Sequence, residues 1–251
     1  MSRNHCPRCI GITVRDAPES LSEMRRNMQQ CEEARRTYEQ YLAALTQTEI
    51  THRKRVKVNR LIREAKFPIL KTLDTYDYTH ITGVTPQQIN RLAGGDFVKS
   101  AANIVFYGDF GVGKSHLATG IAVALCEIGI KCLFSSTQSM ITSLEEAQKT
   151  LTLASLFKKL DRFDVIVLDE LGYTPQSKDG ADLFFQLISQ RYERKSLIIT
   201  TNLPYSSWDS AFLNSTTTAA AVDRIIHNCE TFNIHGVSYR AEAAKKRQAK
   251  G

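Results

Sequence analysis

Residues Gly108-Asp109-Phe110-Gly111-Val112-Gly113-Lys114-Ser115 satisfy every fixed position of the pattern G-x-x-x-x-G-K-[ST], the loop that cradles nucleotide phosphates. Its glycines carry no side chains, so successive backbone N–H groups and the N-terminus of the following helix can turn toward phosphate oxygens. Lys114 is then the residue that reaches the β- and γ-phosphates, and the Ser115 hydroxyl is the one that holds Mg²⁺. About 55 residues further on, Phe163-Asp164-Val165-Ile166-Val167-Leu168-Asp169-Glu170 is an apolar run that ends in two carboxylates. Asp169, at the carboxyl end of a buried strand, can complete the Mg²⁺ shell begun by Ser115. Glu170 can orient or deprotonate the water that attacks a γ-phosphate. A third apolar run, Leu197-Ile198-Ile199-Thr200, delivers Thr201 and Asn202 to the same edge. An Asn there can hydrogen-bond the γ-phosphate or the attacking water, or it can simply cap the strand end. The sequence continues Leu203-Pro204-Tyr205 rather than N-K-x-D, which argues against guanine and for adenine. Thr200 reads as a core residue.

These residues need a scaffold, and the flanking patterns supply one. Ile104-Val105-Phe106-Tyr107 enters the loop as a strand, and Leu117, Ile121, Leu125 and Ile128 follow at helical spacing, the strand-loop-helix context the motif requires. Ile130–Phe134 reads as a second strand. Two helical patterns come next, the later one marked by Leu153, Leu156, Phe157 and Leu160, and Leu183, Phe184, Leu187 and Ile188 support another before the 197–200 strand. Strands alternating with helices predict an α/β fold with a parallel sheet.

With 42% hydrophobic residues in 251, the chain can bury one full α/β core and carry an appendage. Its net charge of +7 is concentrated: residues 51–66 contribute +6 and residues 240–251 contribute +4, so the remainder is net acidic. Two basic segments on an otherwise acidic chain suggest a polyanionic partner. Residues 19–66 contain no glycine and a single proline-free run rich in Glu, Arg, Gln and Ala, which is helix composition. Met24, Met28, Cys31, Tyr38, Tyr41, Leu42 and Leu45 recur at roughly helical intervals. Val58, Leu61, Ile62 and Ala65 then form an apolar side, while Arg53, Lys54, Lys57, Arg60 and Arg63 are placed to track nucleic-acid phosphates or to form a solvated basic face. Pro68 stops the helix. Leu73-Asp74-Thr75-Tyr76-Asp77-Tyr78, with Gly83, Pro86 and Gly94-Gly95, marks the junction to the core.

Cys6-Pro7-Arg8-Cys9 is half of a zinc site, but Cys31 is the only further cysteine before the core, so two thiols without metal is the simpler reading. Six cysteines, mostly scattered, suit a reducing cytoplasm. Ile10–Val14 is shorter than the apolar region of a signal peptide, and no apolar run approaches a membrane span.

The combined pattern resembles the IstB-like ATP-binding proteins, transposition helpers of insertion sequences, related to the DnaC-type helicase loaders within the AAA+ ATPases. The matching stretches are Glu64-Ala65-Lys66-Phe67-Pro68 with Lys71-Thr72-Leu73, the phosphate loop continued by His116-Leu117-Ala118, and Leu168-Asp169-Glu170-Leu171-Gly172-Tyr173. Beyond them lie Arg191-Tyr192-Glu193-Arg194-Lys195-Ser196, Asn202-Leu203-Pro204 with Trp208, Asp223-Arg224, and Gly236-Val237-Ser238-Tyr239-Arg240. The first 20 or so residues fall outside the pattern, and Asp109-Phe110 replaces the usual Pro-rich start of the loop.

The resemblance implies an AAA+ P-loop core with a parallel five-stranded sheet over residues 71–240, a helical region over 1–70 that binds DNA or a partner, and a basic tail over 241–251. It implies an ATPase using ATP and Mg²⁺ that oligomerises on duplex DNA, hands a target site to its transposase and is released through hydrolysis. It extends the nucleotide-binding stretch to His116 and makes Arg224 an arginine finger that completes a neighbour's site. The alternative for Arg224 is an exposed pair with Asp223, on a helix whose Val222, Ile225 and Ile226 face the core. Arg240 is a candidate second phosphate sensor, Arg191 reads equally well as structural, and Trp208 reads as a packing anchor. Two other functions share the loop. A helicase loader would use the amino-terminal helix on a protein partner. A metabolic kinase would not need Glu170 beside Asp169, and no lid for an acceptor substrate is recognisable.

Overall fold

The computed structural model describes residues 25–26, 38–172, 177–208 and 215–239. Cys6, Cys9, Met24, Met28, Cys31, Tyr173, Arg240 and the tail over 241–251 lie outside them. The chain separates into two compact units, residues 1–57 and 58–251. In the first, the described residues are mainly helical, up to Lys57 of α1 (Tyr38–Ala65). Tyr38 and Leu42 are exposed there.

The second unit is built on a six-stranded sheet. Its strands are β1 (Ile81–Thr82), β2 (Asn103–Gly108), β3 (Cys132–Ser136), β4 (Val165–Leu171), β5 (Ser196–Thr201) and β6 (Cys229–Gly236), in the spatial order β1-β6-β2-β5-β4-β3. The helices are α2 (Pro86–Ala93), α3 (Asp96–Lys99), α4 (Lys114–Glu127), α5 (Thr137–Lys149), α6 (Leu153–Leu160), α7 (Lys178–Arg191) and α8 (Ser215–Ile226). Five strands are parallel, as expected, and the sixth, β1, pairs antiparallel with β6. The expected sheet therefore lacks one strand. The missing one is two residues long, too short for any periodic pattern to register.

Side chains alternate across the sheet with the period of two that strands impose. Ile104, Phe106, Val165, Val167 and Ile198 enter one apolar cluster with Leu117, Ile121 and Leu125 of α4 and with Leu61 and Ala65 at the end of α1. Val105, Ile166, Leu168, Leu197 and Ile199 enter the other, with α5, α6, α7, α8 and Trp208. The result is a three-layer α/β/α arrangement. Trp208 is fully buried and its indole N–H donates to the Leu203 carbonyl at 3.2 Å, a packing anchor.

The strand order brings the chemistry together. β5 lies between β2 and β4 and all three are parallel, so their carboxyl ends emerge side by side at one edge, where open α/β sheets bind ligands. The opposite edge is fastened by Arg191, which is 3% exposed. Its guanidinium donates to the carbonyls of Phe163 at 3.2 Å, Asp164 at 3.1 Å and Ser196 at 2.9 Å, joining the amino ends of β4 and β5. Burial lowers its pKa to about 10, and it stays charged because several carbonyls replace its water. Arg191→Met keeps the volume and removes the donors. It is expected to lower stability by about 3 kcal/mol, because buried carbonyls are left unpaired, read as a drop in the urea midpoint at unchanged slope.

Candidate functional site

β2 runs into the phosphate loop at Gly108, and α4 leaves it at Lys114. The local reasons for glycine are steric as well as torsional. Gly108 has φ +133, and a Cβ there would lie 1.9 Å from the Ile234 carbonyl oxygen of β6. Gly113 has φ +91, and a Cβ there would lie 2.6 Å from the Tyr76 ring. Gly113 also precedes α4 with no side chain bonded to the helix's first N–H groups. By contrast Thr85, Ser136 and Ser177 cap α2, α5 and α7 with their hydroxyls. The positive end of α4 is thus left open to an anion.

Lys114 Nζ donates to the carbonyls of Gly108 at 2.9 Å and Asp109 at 2.6 Å, folded back along the loop. Beneath the loop, the buried Tyr76 hydroxyl donates to the Val112 carbonyl at 2.8 Å. His116 Nε2 lies 2.9 Å from the Thr72 carbonyl and 3.2 Å from the Thr75 hydroxyl. Its ring meets Tyr76 edge to face at 5.2 Å between centroids. Burial lowers the His116 pKa and raises that of Tyr76, so both rings are held neutral.

At the end of β4 the ladder with β5 is interrupted. Leu168 pairs with Ile199 and Leu171 with Thr201, and Asp169 and Glu170 bulge between them. Glu170 sits at φ +61, a conformation that costs a non-glycine residue about 1–3 kcal/mol. The bulge is held by Thr200, 1% exposed. Its hydroxyl donates to Asp169 Oδ1 and accepts the Glu170 N–H at 3.0 Å. Thr137 of α5 donates to the Asp169 carbonyl at 3.1 Å. One hydroxyl therefore orients the Asp169 carboxylate and fixes the Glu170 backbone. Thr200 is buried, as the sequence predicts; the one signal for its bridging role is a hydroxyl inside an otherwise aliphatic buried strand.

A cavity of about 540 Å³ joins these parts, within the range that binds small ligands. Phe110 to His116 form one wall, Glu170, Thr200 and Thr201 another, and Tyr76, Asp77, Val237 and Tyr239 a third. Gly108, Asp169 and the half-buried Asn202 are not among the lining residues. Lys114, Ser115 and Glu170 therefore share one cavity, and Asp169 is tied to it through Thr200. The residues fit the chemistry of a nucleotide with Mg²⁺: a bare-backbone cradle, an ammonium, a hydroxyl, and a carboxylate with one oxygen already oriented.

Arg224 is elsewhere. It is half-buried on α8, its guanidinium lies 4.8 Å from the centroid of the Phe185 ring and Nη1 donates to the Ala220 carbonyl at 3.1 Å. Ile226 was expected to face the core and is instead 40% exposed. The buried stripe of α8 is centred on Ala221 and Ile225, four residues apart, so Ile226, the last residue of α8, falls at its edge. Arg53, Lys54, Lys57, Arg60 and Arg63 are all exposed on α1; Arg53 pairs with Glu49 at 2.6 Å and Arg60 with Glu64 at 3.8 Å.

A phosphate loop, a paired acid at the end of a parallel strand and a three-layer core with this strand order define a P-loop ATPase of the AAA+ class. The fold agrees with solved structures. The DnaC helicase loader superposes with a TM-score of 0.53 at 25% identity, covering 59% of this chain and 87% of that one. The AMPPCP-bound DnaA of Aquifex aeolicus gives 0.56 at 18% identity, covering 74% of this chain and 56% of that one, a likeness of fold alone. The chain belongs to the IstB-like ATP binding protein family, whose pattern it matches over residues 19–249. Among curated relatives, an insertion sequence ATP-binding protein of Sinorhizobium fredii is 37% identical over 81% of this chain and 69% of its own length. The ATP-binding protein of insertion sequence IS21 of Pseudomonas aeruginosa is 33% identical over 83% and 79%.

Thr200→Val removes the bridging hydroxyl and keeps the shape. It is expected to lower ATP turnover about 10–100-fold, the usual effect of losing a group that orients a metal-ligating carboxylate, and to lower the thermal midpoint by a few degrees, because the Glu170 N–H loses its partner. Phosphate release assayed beside a melting curve checks both.

Proposed function

We propose that this chain is an ATP-dependent helper of DNA transposition that assembles as a homo-oligomer on duplex DNA, hydrolyses ATP and recruits or regulates its transposase at the target site. The observation that carries the reading is the shared cavity of Lys114, Ser115 and Glu170 in a chain whose relatives are insertion sequence ATP-binding proteins. In this account residues 108–116 hold the nucleotide, with Lys114 moving from the loop carbonyls to the β- and γ-phosphates. Ser115 and Asp169 hold Mg²⁺, which supplies charge neutralisation at the phosphates. Glu170 activates the attacking water, and Asn202, one residue beyond the lining, takes part through that water. Adenine is the base, in keeping with the absence of N-K-x-D. Residues 1–70 serve DNA or partner binding, 71–240 the ATPase, and 241–251 add positive charge.

Arg224 acts in trans, leaving Phe185 to complete the site of an adjacent subunit. An arginine finger contributes roughly 10³–10⁵ in rate. Arg53, Lys54, Lys57, Arg60 and Arg63 contact phosphates, and their exposure on α1 supports this. Binding is then tolerant of sequence and steeply salt-dependent. With about six phosphate contacts from the Lys and Arg of residues 53–66, affinity is expected to fall on the order of 10³-fold between 50 and 200 mM salt; a flat salt response would sink the DNA-tracking role.

The likeness to the DnaC helicase loader favours one alternative, a loader whose amino-terminal helix grips a replicative helicase. The two are separated by asking which partner the ATP-trapped protein retains. Lys114→Ala is expected to abolish nucleotide binding. Glu170→Gln should bind ATP normally, hydrolyse it at least about 100-fold more slowly, and hold the assembly on DNA. Normal turnover by Glu170→Gln would falsify the assignment of the water-activating residue.

A further inference from the structure

The first half of the phosphate loop carries Asp109-Phe110, and Asp109 is bonded to the end of β6. The Asp109 N–H donates to the Ile234 carbonyl at 3.1 Å, adding a rung to the β2–β6 ladder beyond Gly108. Its Oδ2 then accepts from His235 Nδ1 at 3.2 Å and from the Gly236 N–H at 3.4 Å. Two residues on, the Gly111 carbonyl accepts the Tyr239 N–H at 3.1 Å. A Cβ on Gly111 would lie 2.2 Å from the Ser238 hydroxyl. Residues 235–239 are therefore laid along residues 109–111 at contact distance.

The same segment is tied on its other side. His235 and Gly236 pair with Thr82 and Ile81 of β1, and the Val237 N–H reaches the His80 carbonyl at 3.3 Å. Val237 and Tyr239 are 55% and 67% exposed, large apolar side chains left on the wall of the cavity that also holds Tyr76, His80 and Ile81. Apolar surface in the same cavity as the phosphate loop suits the flat face of a base.

We propose that Asp109 and His235 form a latch that positions residues 236–239 as a wall of the nucleotide cavity, so that this pair sets nucleotide affinity rather than the speed of the chemical step. The inference rests on the nucleotide reading above. Asp109 and His235 are positioning residues: they act through Val237 and Tyr239, and neither is required to touch the reacting atoms. Both side chains are 54% exposed. The direct attraction between them is worth no more than about fivefold in an equilibrium. The gain comes from holding the wall in place before the ligand arrives, which spares the ligand the cost of ordering it. The backbone bonds from Tyr239 to Gly111 and from β1 to β6 survive any side-chain change, so the loss on breaking the latch is partial.

The test uses the full chain and a fluorescent ADP analogue, with ATP turnover measured alongside. His235→Ala and Asp109→Ala are each expected to weaken analogue binding about fivefold, and the double variant no further than either single one. Asp109→Asn, whose amide oxygen can still accept the Gly236 N–H, should fall between parent and Asp109→Ala. In His235→Ala the KM for ATP should rise by the same factor as the dissociation constant while kcat holds within about twofold. Matching melting temperatures exclude global loss of fold. If Asp109→Ala does not fold, His235→Ala and Asp109→Asn still decide the matter. Parental affinity in His235→Ala overturns the latch alone, as do losses that add fully in the double variant. Failure of the unaltered protein to bind the analogue overturns the nucleotide reading, and the latch with it.

Discussion

The phosphate loop carries glycine at 108, 111 and 113, each at positive φ, and a chain so free in its torsions cannot hold its own shape. It needs bare backbone to present N–H groups, and for the same reason it must take its rigidity from neighbours. The Tyr76 ring and hydroxyl press on Gly113 and Val112 from below, and His116 ties the first turn of α4 to Thr72 and Thr75. β6 closes on Gly108 from the side. Those supports come from chain segments before and after the loop, which explains why the junction at 72–82 and the end of β6 pair with each other through β1. The small antiparallel strand is the clasp that joins the two sets of supports.

A second constraint operates at Glu170. Its φ of +61 is unfavourable for a side chain with a Cβ, and the cost is offset by bonds made only in that conformation. The Glu170 N–H reaches the Thr200 hydroxyl, whose own hydrogen serves Asp169. The bulge turns two consecutive residues of a strand, which would otherwise point to opposite faces, toward one working edge. Asp169 is left half-buried and Glu170 exposed, an arrangement in which one acid is oriented by the protein and the other meets solvent and ligand. Strain at this point and a buried hydroxyl beside it are two parts of one device.

The sequence made the local units legible because each is a short-range pattern. Loop, flanking strand and amphipathic helix are contiguous, and the aliphatic runs of β2, β4 and β5 are buried on both faces and stand out as unbroken. β6 was not read, although Phe232 and Ile234 are buried between polar neighbours. Its alternation covers only two turns of the pleat, and β1 is shorter still. Thr200, Asp109 with His235, and Arg224 with Phe185 share a different obstacle. Each is a pairing between residues 30 or more apart in the chain, so no window of sequence contains both partners. Such pairs become visible only when the fold sets β5 against β4, β6 against β2 and α8 against α7.

The contact of Arg224 with Phe185 bears on the trans role proposed for that arginine. A cation over an aromatic ring at an accessible site contributes about 0.5–1 kcal/mol, and its bond to the Ala220 carbonyl adds a similar amount. A finger that accelerates phosphoryl transfer by 10³–10⁵ supplies about 4–7 kcal/mol at the transition state. The two figures refer to different steps: the finger's contribution is made only in the transition state, so in the proposed assembly the resting contacts, about 1–2 kcal/mol in all, are a ground-state cost that subunit contacts would have to offset. These contacts hold a half-buried guanidinium against Phe185, and the proposed trans role requires it to leave that ring. Under that proposal Phe185 would be a low-affinity dock, because an apolar ring, unlike a carboxylate, does not compete with a phosphate for the charge.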